Sequence, residues 1–298
     1  MYVRVFSPAG KSSLNNDIFS RIRSHHGAWR RASVSRKFSI VEPCVIKLGE
    51  TRIDQQGLKQ LAEHYGAIDW LDKTRRHERS NSEFLIELAG RVCYKSFGTG
   101  LNPNITKIRE DPKDYLLNIL RSKHGSVLEH SSVTFAFLNV SRVFTHELVR
   151  HRAGTAISQE SLRYVRPRDL ALWLPRDIDP ISDQFQAVLE EIADGYRRLE
   201  ASFAWDKMGF EKKKLITSAL RRILPDGLAT NVIWTANHRT IRWAIEMRTD
   251  PTAEVEMRKV FGLVAEICMR EYRLLYADFT KKPLGDGTYQ YSPEFSKV

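Results

Sequence analysis

The chain has 298 residues, 42% of them hydrophobic and 28% charged, which fits a globular protein long enough to bury a substantial core. No apolar run nears the ~20 residues that a membrane-spanning helix needs, and three scattered cysteines without a CxxC pair suggest neither a disulfide framework nor a zinc site. The net charge of +11 is uneven: residues 1–37 hold eight Lys/Arg against the single acid Asp17, a balance of +7 that leaves +4 for the rest. This Ser/Arg-rich arm reads in three ways, as a disordered leader, an organellar targeting segment or a nucleic-acid tail. No secretory apolar region stands out, so a cytoplasmic location is the simpler expectation.

Residues 41–48 are apolar and rich in β-branched side chains, which predicts a strand. Charged sequence follows over residues 69–81, with Trp70 and Leu71 its only large apolar residues. Phe84, Ile86, Leu88 and Val92 resume helical spacing over residues 82–94, and Cys93 falls there as a core candidate. Asn102-Pro103-Asn104 marks a loop. Tyr115, Leu116, Ile119 and Leu120 form a helical stripe that ends near His124-Gly125. Val133, Phe135 and Phe137 alternate with Thr134 and Ala136, the period of a half-buried strand. Ser141 is a good N-cap for a helix over residues 142–152. Phe185, Val188, Leu189, Ile192, Tyr196 and Leu199 give a helix over residues 181–203 one apolar face. A further helix passes through Leu215 and Leu220. Residues 231–236 read as a strand, and residues 240–248 and 252–276 as helices, with Pro251 at a helix start. These elements predict one domain over residues 41–298, preceded by a basic arm over residues 1–40.

The chemistry concentrates around Arg150-His151-Arg152 and Ser161-Leu162-Arg163-Tyr164. Arginine presents a planar fork of donors that matches phosphate, and the interleaved Gly154, Thr155 and Ser158 let backbone N–H groups approach a ligand. A solvated charge run is the alternative, but this one follows an apolar segment and is not lysine-rich. His124, Ser126, Glu129 and His130 precede the central strand. Two histidines with five residues between them are not a helix-face metal pair, and no third ligand is evident, so no metal is expected. Asn237 and Arg248 are eleven residues apart, about three helical turns, and so share a face. They would reach one groove, unless Arg248 pairs with Glu246, Asp250 or Glu254 on the surface. Arg221 and Arg222 read as surface residues. No glycine-rich dinucleotide fingerprint and no convincing nucleophile is present. The residues point to a binder of phosphorylated ligands and leave the reaction unnamed.

In order, these blocks resemble the flavin-dependent thymidylate synthases: His124 to His130, Arg150-His151-Arg152, Ser161-Leu162-Arg163-Tyr164, Arg221 to Pro225, Asn237-His238-Arg239 and Arg248-Thr249-Asp250. The resemblance implies reductive methylation of dUMP to dTMP, with methylenetetrahydrofolate as carbon donor and FAD reduced by NADPH as hydride source. It implies that His124, Ser126, Arg150, His151, Arg152, Gln159, Asn237 and Arg239 bind FAD. Glu147, Arg150, Gln159, Ser161, Leu162, Arg163, Arg221 and Arg248 match nucleotide-binding positions, with Arg163 and Arg221 suited to phosphate. Arg248 matches the arginine that favours the ionised pyrimidine, a sensible role for a fixed cation beside developing negative charge. The fold implied is α+β, a mixed sheet flanked by helices. It would form one catalytic domain assembled as a homotetramer with active sites between subunits.

Two departures from the family stand out. Eight residues, 153–160, separate Arg152 from Ser161, one more than the family's usual spacing. A bulge that keeps Ser161 to Tyr164 in register is preferred, because Glu160 in the serine position would repel a phosphate. Trp243 stands where small polar residues are usual; an indole would stack on a ring but donates only one hydrogen bond. Two other functions remain open. A paralogue would methylate another pyrimidine nucleotide such as UMP, and a non-enzymatic RNA-binding protein would use the basic arm.

Overall fold

The computed structural model describes residues 38–296 apart from Thr99, Thr106 and Arg168. Nearly all of the basic arm, residues 1–37, lies outside the described residues. Residues 38–40, assigned to the arm from sequence, instead form strand β1 (Phe38–Ile40), which pairs in parallel with β5 (Leu170–Leu172). Phe38 is buried, so the packed body begins three residues before the expected boundary.

The main sheet has four strands in the order β2 (Cys44–Glu50), β3 (Ser132–Ser141), β6 (Ala229–Asn237) and β4 (Thr155–Gln159). Every pairing in it is antiparallel. The expected mixed sheet is therefore corrected: β6 enters between β3 and β4 and runs against both, and among the described residues parallel pairing is confined to β1 and β5. The architecture remains α+β.

One face of this sheet makes the core. Phe135 lies opposite Trp234 and Phe137 opposite Val232, all buried. Helices α3 (Asn81–Tyr94), α4 (Pro112–Arg121), α8 (His238–Arg248) and α9 (Val255–Glu271) contribute Ile86, Leu116, Ile245 and Phe261 to the same cluster. The hairpin of β7 (Phe279–Pro283) and β8 (Tyr289–Pro293) adds Phe279 and Tyr291. On the opposite face Ile46, Ala136, Ile233 and Ser158 stand in one cross-strand row. Ile46 and Ile233 are 43% and 46% exposed there.

Two satellite cores flank the first. Helices α1 (Gln55–His64) and α2 (Ile68–Thr74) pack Leu58, Trp70 and Leu71 against Leu88 and Phe97. Charged sequence conceals α2, whose Trp70 and Leu71 are both buried. The other core joins β1 and β5 to α6 (Ser182–Ala201), which precedes α7 (Phe210–Leu220), through Leu189 and Ala193. Of the predicted α6 face, Val188 and Leu199 stay exposed, because the helix touches the body along a narrower stripe than its apolar pattern suggests. Cys93, expected in the core, is exposed, because α3 turns Ile86 and Gly90 inward instead. Helix α9 starts at Val255, capped by the Glu254 carboxylate, which accepts from the N–H groups of Glu256 and Met257. Pro251 lies in the preceding turn rather than at the helix start.

Candidate active site

Helix α5 (Arg142–Leu148) leaves β3 with Ser141 as its N-cap, as expected. It stops four residues early. Arg150 and His151 instead close a turn back onto the carbonyls of Glu147 and Leu148. The cause is the turn into β4. Gly154 adopts φ +66, and a Cβ there would sit 2.3 Å from the Asn237 side chain. Only glycine combines that backbone angle with so close an approach.

Arg248, in the last turn of α8, meets the end of α5. Its Nε donates to His151 Nε2 at 2.6 Å and its Nη1 to Glu147 Oε2 at 2.7 Å. The partner is thus neither Glu246, Asp250 nor Glu254. His151 is only 2% exposed. Burial, then the charges of Arg248 and Arg150, lower its pKa to about 4. Because Nε2 accepts, the ring proton sits on Nδ1, which is buried with no hydrogen-bond partner among the described residues. The Trp243 indole meets the His151 ring edge-on, with centroids 4.8 Å apart.

Asn237 caps α8 by accepting from Thr240 N–H, and Thr240 donates onward to the Ala153 carbonyl. His238 points inward, with its Nδ1 3.1 Å from the Tyr276 hydroxyl, between the buried Asn237 and the exposed Arg239. Arg239 pairs with Glu129 at 2.5 Å, tying α8 to the 3-10 turn Gly125–His130. Glu129, Gly154, Asn237, Arg239 and Trp243 line a cavity of about 370 Å³. Arg248 is not among the residues that line this cavity. Trp243 connects the two instead, touching His151 on one side and the cavity on the other.

His124 stands apart from that cavity. Its ring stacks on Tyr94, whose hydroxyl lies 2.7 Å from Nδ1. Both line a second space of about 230 Å³ with Arg91 and Ser96. Ser126, Arg150 and Arg152 are exposed.

Beyond β4 the chain departs from the sheet at Ser161. The β4 register with β6 is unbroken from Thr155 to Gln159 and continues through the Glu160 N–H to the Asn231 carbonyl. The preferred bulge is therefore absent from β4. The chain bends only at Gly154 and at Ser161, whose carbonyl accepts from Tyr164 and Val165. The Glu160 carboxylate accepts from Asn231 at 3.1 Å. Gln159 donates to Thr145 on α5 at 3.2 Å. Leu162 packs on the β1–β5 core, while Arg163 and Arg221 are exposed.

Sequence reasoning missed Arg142. It is half-buried and donates to the Glu160 carbonyl. Burial, then the nearby charge of Arg221, lowers its pKa. A signal was present: a cation in the first turn of a helix opposes the helix dipole and is placed there against a local cost.

The sheet separates these groups. Ser132, Asn237 and Thr155 meet at one end, beside Gly154 and Arg239; Ser141, Ala229 and Gln159 mark the other, beside Arg142 and Ser161. The five residues of β4 between them span roughly 15 Å at about 3.3 Å per residue.

Residues 76–272, which contain every site residue above, match the family described as thymidylate synthase complementing protein. Flavin-dependent thymidylate synthases of Mycobacterium bovis and Mycobacterium tuberculosis are 35% identical to this chain over 216 residues, covering 68% of it and 82% of each relative. The chain belongs to the flavin-dependent thymidylate synthase family. The Mycobacterium avium enzyme matches to the same extent. The fold is shared with a UMP/dUMP methylase from Streptomyces cacaoi bound with 5-Br UMP, at TM-score 0.56 and 16% identity, covering 80% of this chain and 94% of that one. The same methylase with 5-Br dUMP gives 0.57 and 14%, over 80% and 95%. As a member of this family the protein is a methyltransferase enzyme, and a purely RNA-binding reading is set aside.

Proposed function

We propose that this enzyme methylates dUMP to dTMP, and that Arg248 is its catalytic cation. The observation that carries the reading is the placement of Arg248 between Glu147 and an uncharged His151. With His151 neutral, the guanidinium is the fixed positive centre of that cluster. Negative charge developing on a pyrimidine ring beside it is stabilised without reorganisation, which makes C5 more nucleophilic. Glu147 and His151 hold the fork in place.

The donor set fits a flavin. A glycine that brings the backbone against Asn237, the exposed Trp243 ring and the orphaned Nδ1–H of His151 all surround one region. Asn237, Arg239, Arg150, His151, Arg152 and Gln159, with His124 and Ser126 across the 3-10 turn, would hold it. Bound FAD, reduced by NADPH, would supply the hydride, and methylenetetrahydrofolate the one-carbon unit. Arg163 and Arg221, with Arg142 behind them and the Ser161 hydroxyl, would take the nucleotide phosphate, while Leu162 packs beneath.

Two observations support assembly as a homotetramer with shared sites. The proposed phosphate residues Arg163 and Arg221 lie toward the opposite end of the sheet from the proposed flavin residues Asn237 and Arg239, a separation that a second chain would bridge. The exposed Ile46 and Ile233, which flank the buried Ala136 in one row, give a second copy an apolar face to cover.

The test is an absorbance spectrum of the purified protein, followed by NADPH and nucleotide without oxygen. Flavin bands that bleach faster with dUMP than with UMP support the reading. Equal or faster bleaching with UMP transfers it to the paralogue, and no flavin uptake refutes both.

A further inference from the structure

Glu256 lies in the first turn of α9 and is fully buried. Its carboxylate accepts the backbone N–H of Ser141 at 2.7 Å and, through a short hydrogen bond, the Ser141 hydroxyl. The same hydroxyl oxygen accepts from Phe144 N–H at 3.1 Å and so caps α5. Helix α5 has seven residues, too few to hold a helix without tertiary support. Its two preceding N–H groups, of Arg142 and Val143, donate to the Asp226 carbonyl. The far end of α5 carries Thr145, which receives Gln159, and Glu147, which receives Arg248.

We propose that Glu256 is a positioning residue for the Arg248 centre: by accepting both donors of Ser141 it fixes the start of α5, and with it the place of Glu147 and His151 at the helix end. A buried carboxylate is costly unless hydrogen-bonded. Here both hydrogen bonds serve the start of one short helix. Charge matters as well as shape. A carboxylate accepts from both Ser141 donors, whereas an amide must turn its NH₂ toward one of them and leave a buried donor unmet.

Burial pushes the Glu256 carboxyl up to about 7, against the two Ser141 bonds that hold it down. Glu254, at the start of the same helix, raises it further and Lys259 lowers it; from the β3–α5 side it meets Ser141. The form that accepts both donors therefore gains population as pH rises through 7. His151, with its pKa near 4, stays neutral over that range.

The kinetic half of the test rests on the proposed function; the spectroscopic half does not. The full chain is compared with Glu256→Gln, Ser141→Ala and the double variant. Measurements are kcat and KM for dUMP from about pH 6 to 9, the His151 ring resonances by NMR without ligand, and thermal unfolding. Glu256→Gln is expected to lower kcat about tenfold, with a smaller change in KM. It should flatten the rise of kcat through neutrality and shift the His151 resonances. Adding Ser141→Ala should then change kcat by less than about twofold, because both act through one link. Wild-type kcat, pH profile and His151 resonances in Glu256→Gln overturn the proposal. So do two substitutions whose effects multiply, or a lower unfolding temperature with unchanged kcat per folded molecule. If Glu256→Gln does not fold, Ser141→Ala carries the same expectations and the same refutation. If the wild-type chain does not turn over dUMP, the functional reading fails, and the His151 resonances still decide whether Glu256 governs the site.

Discussion

Arg248 donates to His151 across 97 residues of chain, and because an arginine does not give up its proton, the bond fixes which nitrogen of His151 carries one. The imidazole is a neutral acceptor toward Arg248 and a neutral donor on its far side. That arrangement makes separate demands on each partner.

Arg248→Lys keeps the charge but loses the fork that reaches both His151 and Glu147. By analogy with removing one preorganised donor, kcat should fall about 10²-fold or more. Arg248→Ala should fall at least as far. Steady-state kinetics with dUMP checks both, and a lysine variant within a few-fold of wild type would show that charge alone suffices.

His151 makes stability depend on acid. Its folded pKa, about 4, lies below the ordinary 6.5, so the stabilisation it supports is complete above pH 6.5 and is lost as pH falls toward 4. The shift corresponds to at most about 3 kcal/mol. His238, held near 3 by burial and by Arg242, acts in the same direction over an overlapping range. Denaturant unfolding of His151→Asn should therefore lose less stability than wild type between pH 6.5 and 4, with the His238 share remaining in both.

Gly154→Ala places a methyl group against Asn237 at a backbone angle that alanine avoids. A cost of about 1–3 kcal/mol is expected, together with weaker flavin retention, because Asn237 and the turn that carries His151 must shift. Flavin-to-protein absorbance ratios after gel filtration measure it.

Trp234→Ala removes the largest fully buried side chain of the main sheet, which packs on Phe135, Phe137 and Phe261. A loss of about 3–5 kcal/mol is expected, read by chemical denaturation.

Ile233→Asp puts a charge in the middle of the exposed sheet row. If that row seats a second copy, as proposed, the variant should keep the circular dichroism of the wild type and show a lower mass than the wild type in light scattering. An unchanged mass would place the subunit contacts elsewhere.

Local signals were legible in the sequence where one segment carries its own reason. Ser141 reads as a cap because its hydroxyl serves the next turn, and Val133, Phe135 and Phe137 read as a strand because their burial alternates. The Arg150 to Arg152 block marked the site by composition. What stayed hidden depends on partners far along the chain. Nothing near Glu147 announces Arg248, and nothing near Ser141 announces Glu256, 115 residues away. The early end of α5 was concealed because its cause, the Asn237 side chain against Gly154, belongs to another strand. Strand order was hidden for the same reason: β6 lies between β3 and β4 although it follows both.

Placing the proposed phosphate residues Arg163 and Arg221 at the far end of a short sheet from Asn237 and Arg239 would have a genetic consequence. If each complete site draws one end from one chain and the other end from its neighbour, damage at the two ends is not cumulative in a mixed assembly. Chains carrying Arg239→Ala and chains carrying Arg163→Ala, each inactive alone, would rebuild some intact sites when dissociated and reassembled together. Two defective alleles expressed in one cell would then rescue each other, which two defects at the same end would not do.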